Sequence, residues 1–166
     1  MKINKFRSAA IAVIGLFVSV LFSQQLFAGE DFTYQKPDGW EYKSFPGLKY
    51  EVSIGKPLKN FAPNIVVVDE VFSGTLEEYF KQNLAQIEKL INGAKIISQN
   101  RISTSDGDAG FKLAFTSEQN GRKLKQIQYF FGKDNRKYVL TCSSLVESGD
   151  EFDNVFEKSA MTFKIR

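Results

Sequence analysis

The run Asn64-Ile65-Val66-Val67-Val68, continuing to Val71 and Phe72, limits the fold more than any other part of this 166-residue chain. β-Branched side chains are stiff at χ1 and suit a pleated surface, so this density of them predicts a strand with both faces covered. A helix signal follows at once. Thr75 with Glu78 three residues on is a capping box, and Leu76, Phe80, Leu84, Ile87 and Ile91 recur at helical spacing up to Asn92-Gly93. A helix of about 18 residues is about 27 Å long, enough to lie across a sheet.

Strand periodicity surrounds this pair. The turn Pro37-Asp38-Gly39-Trp40 leads into Trp40–Lys43, and Pro46-Gly47 hinges into Leu48–Ile54, where Leu48, Tyr50, Val52 and Ile54 alternate. After the helix, Ile96 and Ile97 lead to Ile102, and Ser105 through Gly110 form a turn. Phe111, Leu113 and Phe115 then share a face, Asn120-Gly121 marks a hairpin, Ile127, Tyr129 and Phe131 alternate, and a last turn opens into Tyr138, Leu140 and Cys142. Three consecutive antiparallel strands are expected there. Ser148 with Glu151 predicts a second capped helix burying Phe152, Val155, Phe156 and Ala160, and Met161–Ile165 a closing strand. The expected fold class is α+β, an antiparallel β-sheet flanked by helices in an α/β/α sandwich.

The first 28 residues stand apart from this pattern. Lys2, Lys5 and Arg7 precede an uncharged stretch from Ala9 to Phe22, the layout of a cleavable secretory signal peptide. Cleavage is expected after Ala28, so that Gly29 begins a single domain over 29–166 with no stable membrane span. No Cys near the apolar run offers a lipid-anchor acceptor. The expected location is therefore periplasmic or secreted, without a lipid anchor. The whole chain carries 22 Lys+Arg against 19 Asp+Glu, and all three basic residues of the excess lie in the signal segment. The expected mature domain is neutral overall, which gives no general attraction to nucleic acid.

There is no His, which removes Ser-His-Asp and Cys-His catalysis and His-based metal centres. Cys142 is the only thiol, so no intrachain disulfide can form, and stability must come from packing.

The Asn64–Val68 strand, the Gly74–Phe80 helix start, the strand Asn135–Cys142, the Phe152–Phe163 helix and strand, and the early Pro37-Asp38-Gly39-Trp40 turn together resemble the PsbP-like family, including its DcrB-type bacterial members. The likeness runs through nearly all of 29–166 in order, mostly through structural residues. It implies an antiparallel sheet between helices and a protein that binds other proteins, since few members are enzymes. The long N-terminal docking extension of the plant protein has no counterpart, as about eight residues separate Gly29 from the Pro37 turn, and family metal sites built on His cannot be carried over.

Candidate functional residues fall into several groups. Trp40, Tyr42, Phe45 and Tyr50 crowd one segment, where any exposed subset would make an aromatic anchor for a protein partner. Asp106 and Asp108, with Gly107 and Gly110, suit oxygen ligation of calcium, although Ser117 stands where an EF-hand carries its bidentate Glu. No other cofactor is indicated. Glu147, Asp150, Glu151 and Asp153 could bind a cation or complement a helix dipole, Arg122, Lys123 and Lys125 could meet an anion or guard a sheet edge, and Cys142 reads as core. The leading expectation is an exported, non-catalytic protein-binding or assembly accessory module of the cell envelope. The alternatives are a small-ligand or calcium-binding periplasmic protein and a carboxylate-dependent hydrolase, for which the linear sequence shows no acid pair.

Overall fold

A computed structural model describes residues 31–166. The expected signal segment and the Ala28/Gly29 cleavage point lie outside the described residues. The order of elements is β1 (Phe32–Thr33), β2 (Glu41–Lys43), β3 (Val52–Ile54), β4 (Asn64–Val71), α1 (Leu76–Leu90), β5 (Lys95–Ser103), β6 (Ala109–Gln119), β7 (Arg122–Lys133), β8 (Arg136–Leu145), a 3-10 turn (Val146–Ser148), α2 (Asp153–Ala160) and β9 (Lys164–Ile165). Seven strands form one sheet in the order β2-β3-β4-β8-β7-β6-β5, every pair antiparallel, and β1 pairs with β9 in a separate two-stranded ribbon.

The β-branched run is an interior strand, with Ile65 opposite Cys142, Val67 opposite Leu140 and Val68 opposite Val139. Alternation then divides the sheet's side chains between two faces. Phe115, Leu113, Phe130 and Val139 point to one face and meet Tyr79, Phe80 and Ile87 of α1. Ile65, Val67, Ile127, Tyr129, Phe131, Tyr138, Leu140 and Cys142 point to the other, where Phe156 and Ala160 of α2, Phe32 of β1 and Phe163 cover them. The expected sandwich is therefore present, with one helix on each side.

Local signals account for most of these elements. Thr75 caps α1 with a reciprocal bond to Glu78, as the capping box requires. The Asn120-Gly121 pair turns with φ of 51° and 73°, and Gln119 and Arg122 close that hairpin. Trp40 N–H donates to Pro37 C=O at 3.1 Å, which closes the first turn.

Three expectations need correction. Leu48 and Tyr50 lie outside β3, because Gly47 (φ 84°) turns the chain and Leu48 N–H donates back to Phe45 C=O, so pairing with β2 begins only at Val52. Tyr50 is still buried. The second helix does not start with a Ser148/Glu151 box: Gly149 is in the left-handed region at φ 57°, and α2 begins after Phe152 without a side-chain cap. Asp150 and Asp153, on either side of that start, bond Lys125 of β7. The closing strand is only Lys164–Ile165 and joins β1 rather than the main sheet.

Candidate functional site

The Trp40–Tyr50 segment does not form one exposed patch. Tyr50 is in the core, edge-on to Phe32 at 4.8 Å, with the Lys49 ammonium 4.7 Å from its ring centre. Trp40 is half-buried, T-shaped against Phe156 at 6.0 Å and Phe152 at 6.4 Å, and it lies over Gly55, where an added Cβ would come within 2.8 Å of the indole. Phe45 is half-buried in the loop between β2 and β3. Only Tyr42 stands out, at 41% exposure.

Tyr42 is placed by features that have little to do with its neighbours in sequence. It lies on β2, one of the two edge strands of the sheet, all three residues of which are exposed. Its ring meets that of Tyr34 edge-on at 6.3 Å, and its hydroxyl donates to Tyr34 C=O at 3.5 Å. Tyr34 is fixed in turn by a 2.6 Å hydrogen bond between its hydroxyl and Ser53 Oγ. The Lys36 ammonium lies 5.7 Å from the Tyr42 ring centre, a cation–π distance. Burial pushes the phenols of Tyr34 and Tyr42 above their ordinary value, so both are neutral donors at physiological pH. The arrangement is an aromatic ledge with a polar tip beside an open strand edge. It can accept an apolar side chain on the ring and a main chain along β2, and among the described residues it brings together no nucleophile and base. Tyr34 and Lys36 went unpredicted as parts of it, although the alternation of Phe32 and Tyr34 is a period-2 signal that could have located the first.

Most of the other candidate groups are engaged within the fold. Asp106 pairs with Lys164 at 2.9 Å, and Asp108 N–H bonds Thr104 Oγ1 in the turn. Among the described residues no three His, Cys, Asp or Glu side chains are grouped to hold a metal ion. Asp150 and Asp153 bond Lys125, and Glu147 pairs with Lys59 at 2.7 Å, so three of the four acidic residues are split between two cations. Arg122, Lys123 and Lys125 lie on β7, an interior strand, which removes the edge-guarding role; Lys125 turns inward, its side chain 12% exposed. Cys142 is fully buried, and burial pushes its thiol up, away from reactivity. Asp69 is an enclosed carboxylate, its side chain 6% exposed. Lys49 at 2.9 Å and Arg136 at 3.3 Å hold it, and Arg136 also reaches Asp31 at 2.6 Å, a ladder joining the loop before β3, the sheet and the start of β1.

No protein-family model matches the chain, and no curated protein does. Solved structures match along most of its length. A Pseudomonas aeruginosa protein of unknown function, PA94, superposes with a TM-score of 0.60 at 18% identity, covering 82% of this chain and 98% of its own. LpqN of Mycobacterium tuberculosis, described as involved in cell envelope biogenesis, gives 0.62 at 13% identity over 81% of this chain and 82% of its own. Cyanobacterial PsbP from Synechocystis gives 0.54 at 14% identity over 88% and 99%. The fold is PsbP-like. Within this PsbP-like sandwich, the resemblance extends over 81–88% of the chain. At such identities it describes architecture alone. No helix among the described residues is long and apolar enough to cross a membrane.

Proposed function

We propose that the chain is an exported, non-catalytic accessory module of the cell envelope that holds a protein partner at the β2 edge. The observation that carries this reading is the exposed Tyr42 ring on an outermost strand, seated on Tyr34 and flanked by Lys36. An aromatic ring with a polar tip gives large contact area at little conformational cost, and a free strand edge offers main-chain hydrogen bonds to an extended segment. The signal-like N-terminus and the envelope role described for LpqN both agree with this setting. The charges around the ledge are mixed, with Glu41, Lys43, Lys36 and Glu51 near one another in the fold, which suits a polar protein rim and not a polyanion.

The test is affinity capture of the tagged chain after cross-linking in cells, beside the Tyr42→Ala variant. One stoichiometric envelope partner, lost with Tyr42→Ala while the fold is retained by circular dichroism, is the expected result. Equal capture by both proteins would place the interaction elsewhere.

A further inference from the structure

Far from the β2 edge, the sheet opens at the β7–β8 turn. β6 pairs with β7 only as far as Phe111 opposite Phe130, whereas β7 continues beside β8 to Lys133 opposite Arg136. At this end β6 stays with β5, reaching Ala109 opposite Ser103, so β6 and β7 part. The turn between β7 and β8 has two residues, Asp134 (φ 52°) and Asn135, which makes Lys133 and Arg136 the hydrogen-bonded closing pair. Antiparallel pairs alternate, so Phe131 bonds Tyr138, and the N–H and C=O of Gly132 point away from β8 into the opening.

The opening is a cleft of about 230 Å³ lined by Asp108, Ala109, Phe131, Gly132, Lys133 and Ile165. Its chemistry is divided. Phe131 and Ile165 supply an apolar floor, held rigid because Phe131 stacks on Phe163 at 4.9 Å. On one lip the Lys133 ammonium makes, among the described residues, one long bond, 3.3 Å to the main-chain oxygen of Arg166. On the other lip, among the described residues, the Asp108 carboxylate makes no ion pair at contact distance, although the Lys164 ammonium, bonded to Asp106, is near enough to act on its charge. A cation and an anion on the lining of one cleft with an apolar floor, beside the outward-pointing main chain of Gly132, match a molecule with a carboxylate, an ammonium and an apolar side chain on one carbon. The volume falls below the roughly 300–1,000 Å³ of sites for drug-sized ligands, so the cleft suits one residue and not an extended segment.

The geometry points to a binding site for a free α-amino acid with an apolar side chain, its carboxylate on Lys133, its ammonium on Asp108 and its side chain on Phe131 and Ile165. The site is separate from the Tyr42 ledge, and its failure would leave the partner-binding reading standing. The test is an NMR titration of the intact chain with L-leucine, L-leucinamide and N-acetyl-L-leucine, reading the Ala109, Gly132 and Lys133 amides. Leucine shifts these amides saturably. Leucinamide and N-acetyl-leucine, each lacking one charge, bind about threefold more weakly or worse, as loss of one exposed ion pair implies. Lys133→Gln weakens leucine to the level of leucinamide, and Asp108→Asn to that of N-acetyl-leucine. Both side chains are exposed, so the variants keep the fold, and the ligand series tests the site without any variant. Absence of shifts with leucine, or equal affinity for all three ligands, would overturn the proposal.

Discussion

Replacing Phe163 by Ala tests how the second helical layer is fastened to the sheet. The ring is 1% exposed, stacks on Phe131 at 4.9 Å and 11° and on Phe32 at 5.1 Å and 25°, and meets Tyr138 at 5.7 Å. Truncating a buried Phe costs about 3–5 kcal/mol, more when the neighbours cannot collapse into the space. Here the neighbours are rings fixed on a sheet strand and on β1, so the upper part of that range, about 4–5 kcal/mol, is expected. With a urea dependence of about 2 kcal/mol/M, the unfolding midpoint should fall by about 2 M. That is a large share of the roughly 5–15 kcal/mol that holds a domain together. Tyr42→Ala is the control: the residue is 41% exposed and its loss should move the midpoint by only about 0.25 M. Urea titration followed by tryptophan fluorescence reads both, because Trp40 packs on Phe156 in the same layer. Equal midpoint shifts for the two variants, or a shift below about 0.5 M for Phe163→Ala, would refute the argument.

Other expectations follow from the same contacts. Thr75→Ala removes the hydroxyl that accepts from Glu78 N–H at 3.1 Å and should cost about 0.5–2 kcal/mol in thermal or urea unfolding; an unchanged midpoint would mean the cap contributes nothing. The Thr75 backbone and hydroxyl hold the Glu78 carboxyl below its ordinary value, Arg136 does the same for Asp31, and Lys125 for Asp150. Groups depressed in the fold contribute stability that is fully present above their unfolded values, 3.8 for Asp and 4.5 for Glu, and is lost as pH falls through the lower folded values. The urea midpoint should therefore drop between pH 7 and pH 3, and less so in Glu78→Gln; a flat profile in the parent protein would contradict the assignment. Calorimetric titration with millimolar calcium should give no binding heat, since Lys164 occupies Asp106; a saturable signal lost in Asp106→Asn would restore the calcium alternative.

Elements whose signal is local could be read from the chain. The β-branched run of β4, the Thr75/Glu78 cap and the Asn120-Gly121 turn each specify backbone within a few residues, and each is where the sequence places it. The start of α2 was misread because Lys125, on a strand more than twenty positions earlier, draws in Asp150 and Asp153 while Gly149 leaves helical geometry. The short β9 was misread because its partner is β1, at the opposite end of the described chain, a pairing without a local mark. The aromatic site was half legible. Sequence crowding singled out Trp40, Tyr42, Phe45 and Tyr50, but only packing against Phe32, Phe152 and Phe156 decides which rings are withdrawn, leaving Tyr42 exposed beside Tyr34. The cleft between β6 and β7 was invisible, because it arises from a difference in pairing length between neighbouring strands.

The claim that the β2 edge is a protein-docking surface is tested most directly by placing a photo-cross-linking amino acid at position 42 and, as a control, at position 90. Leu90 is exposed too, at 59%, but it lies at the end of α1. The account predicts one reproducible cross-linked envelope protein from position 42 and none of that species from position 90. The same adducts from both positions, or none from position 42 while a partner is still captured by the tagged chain, would contradict it.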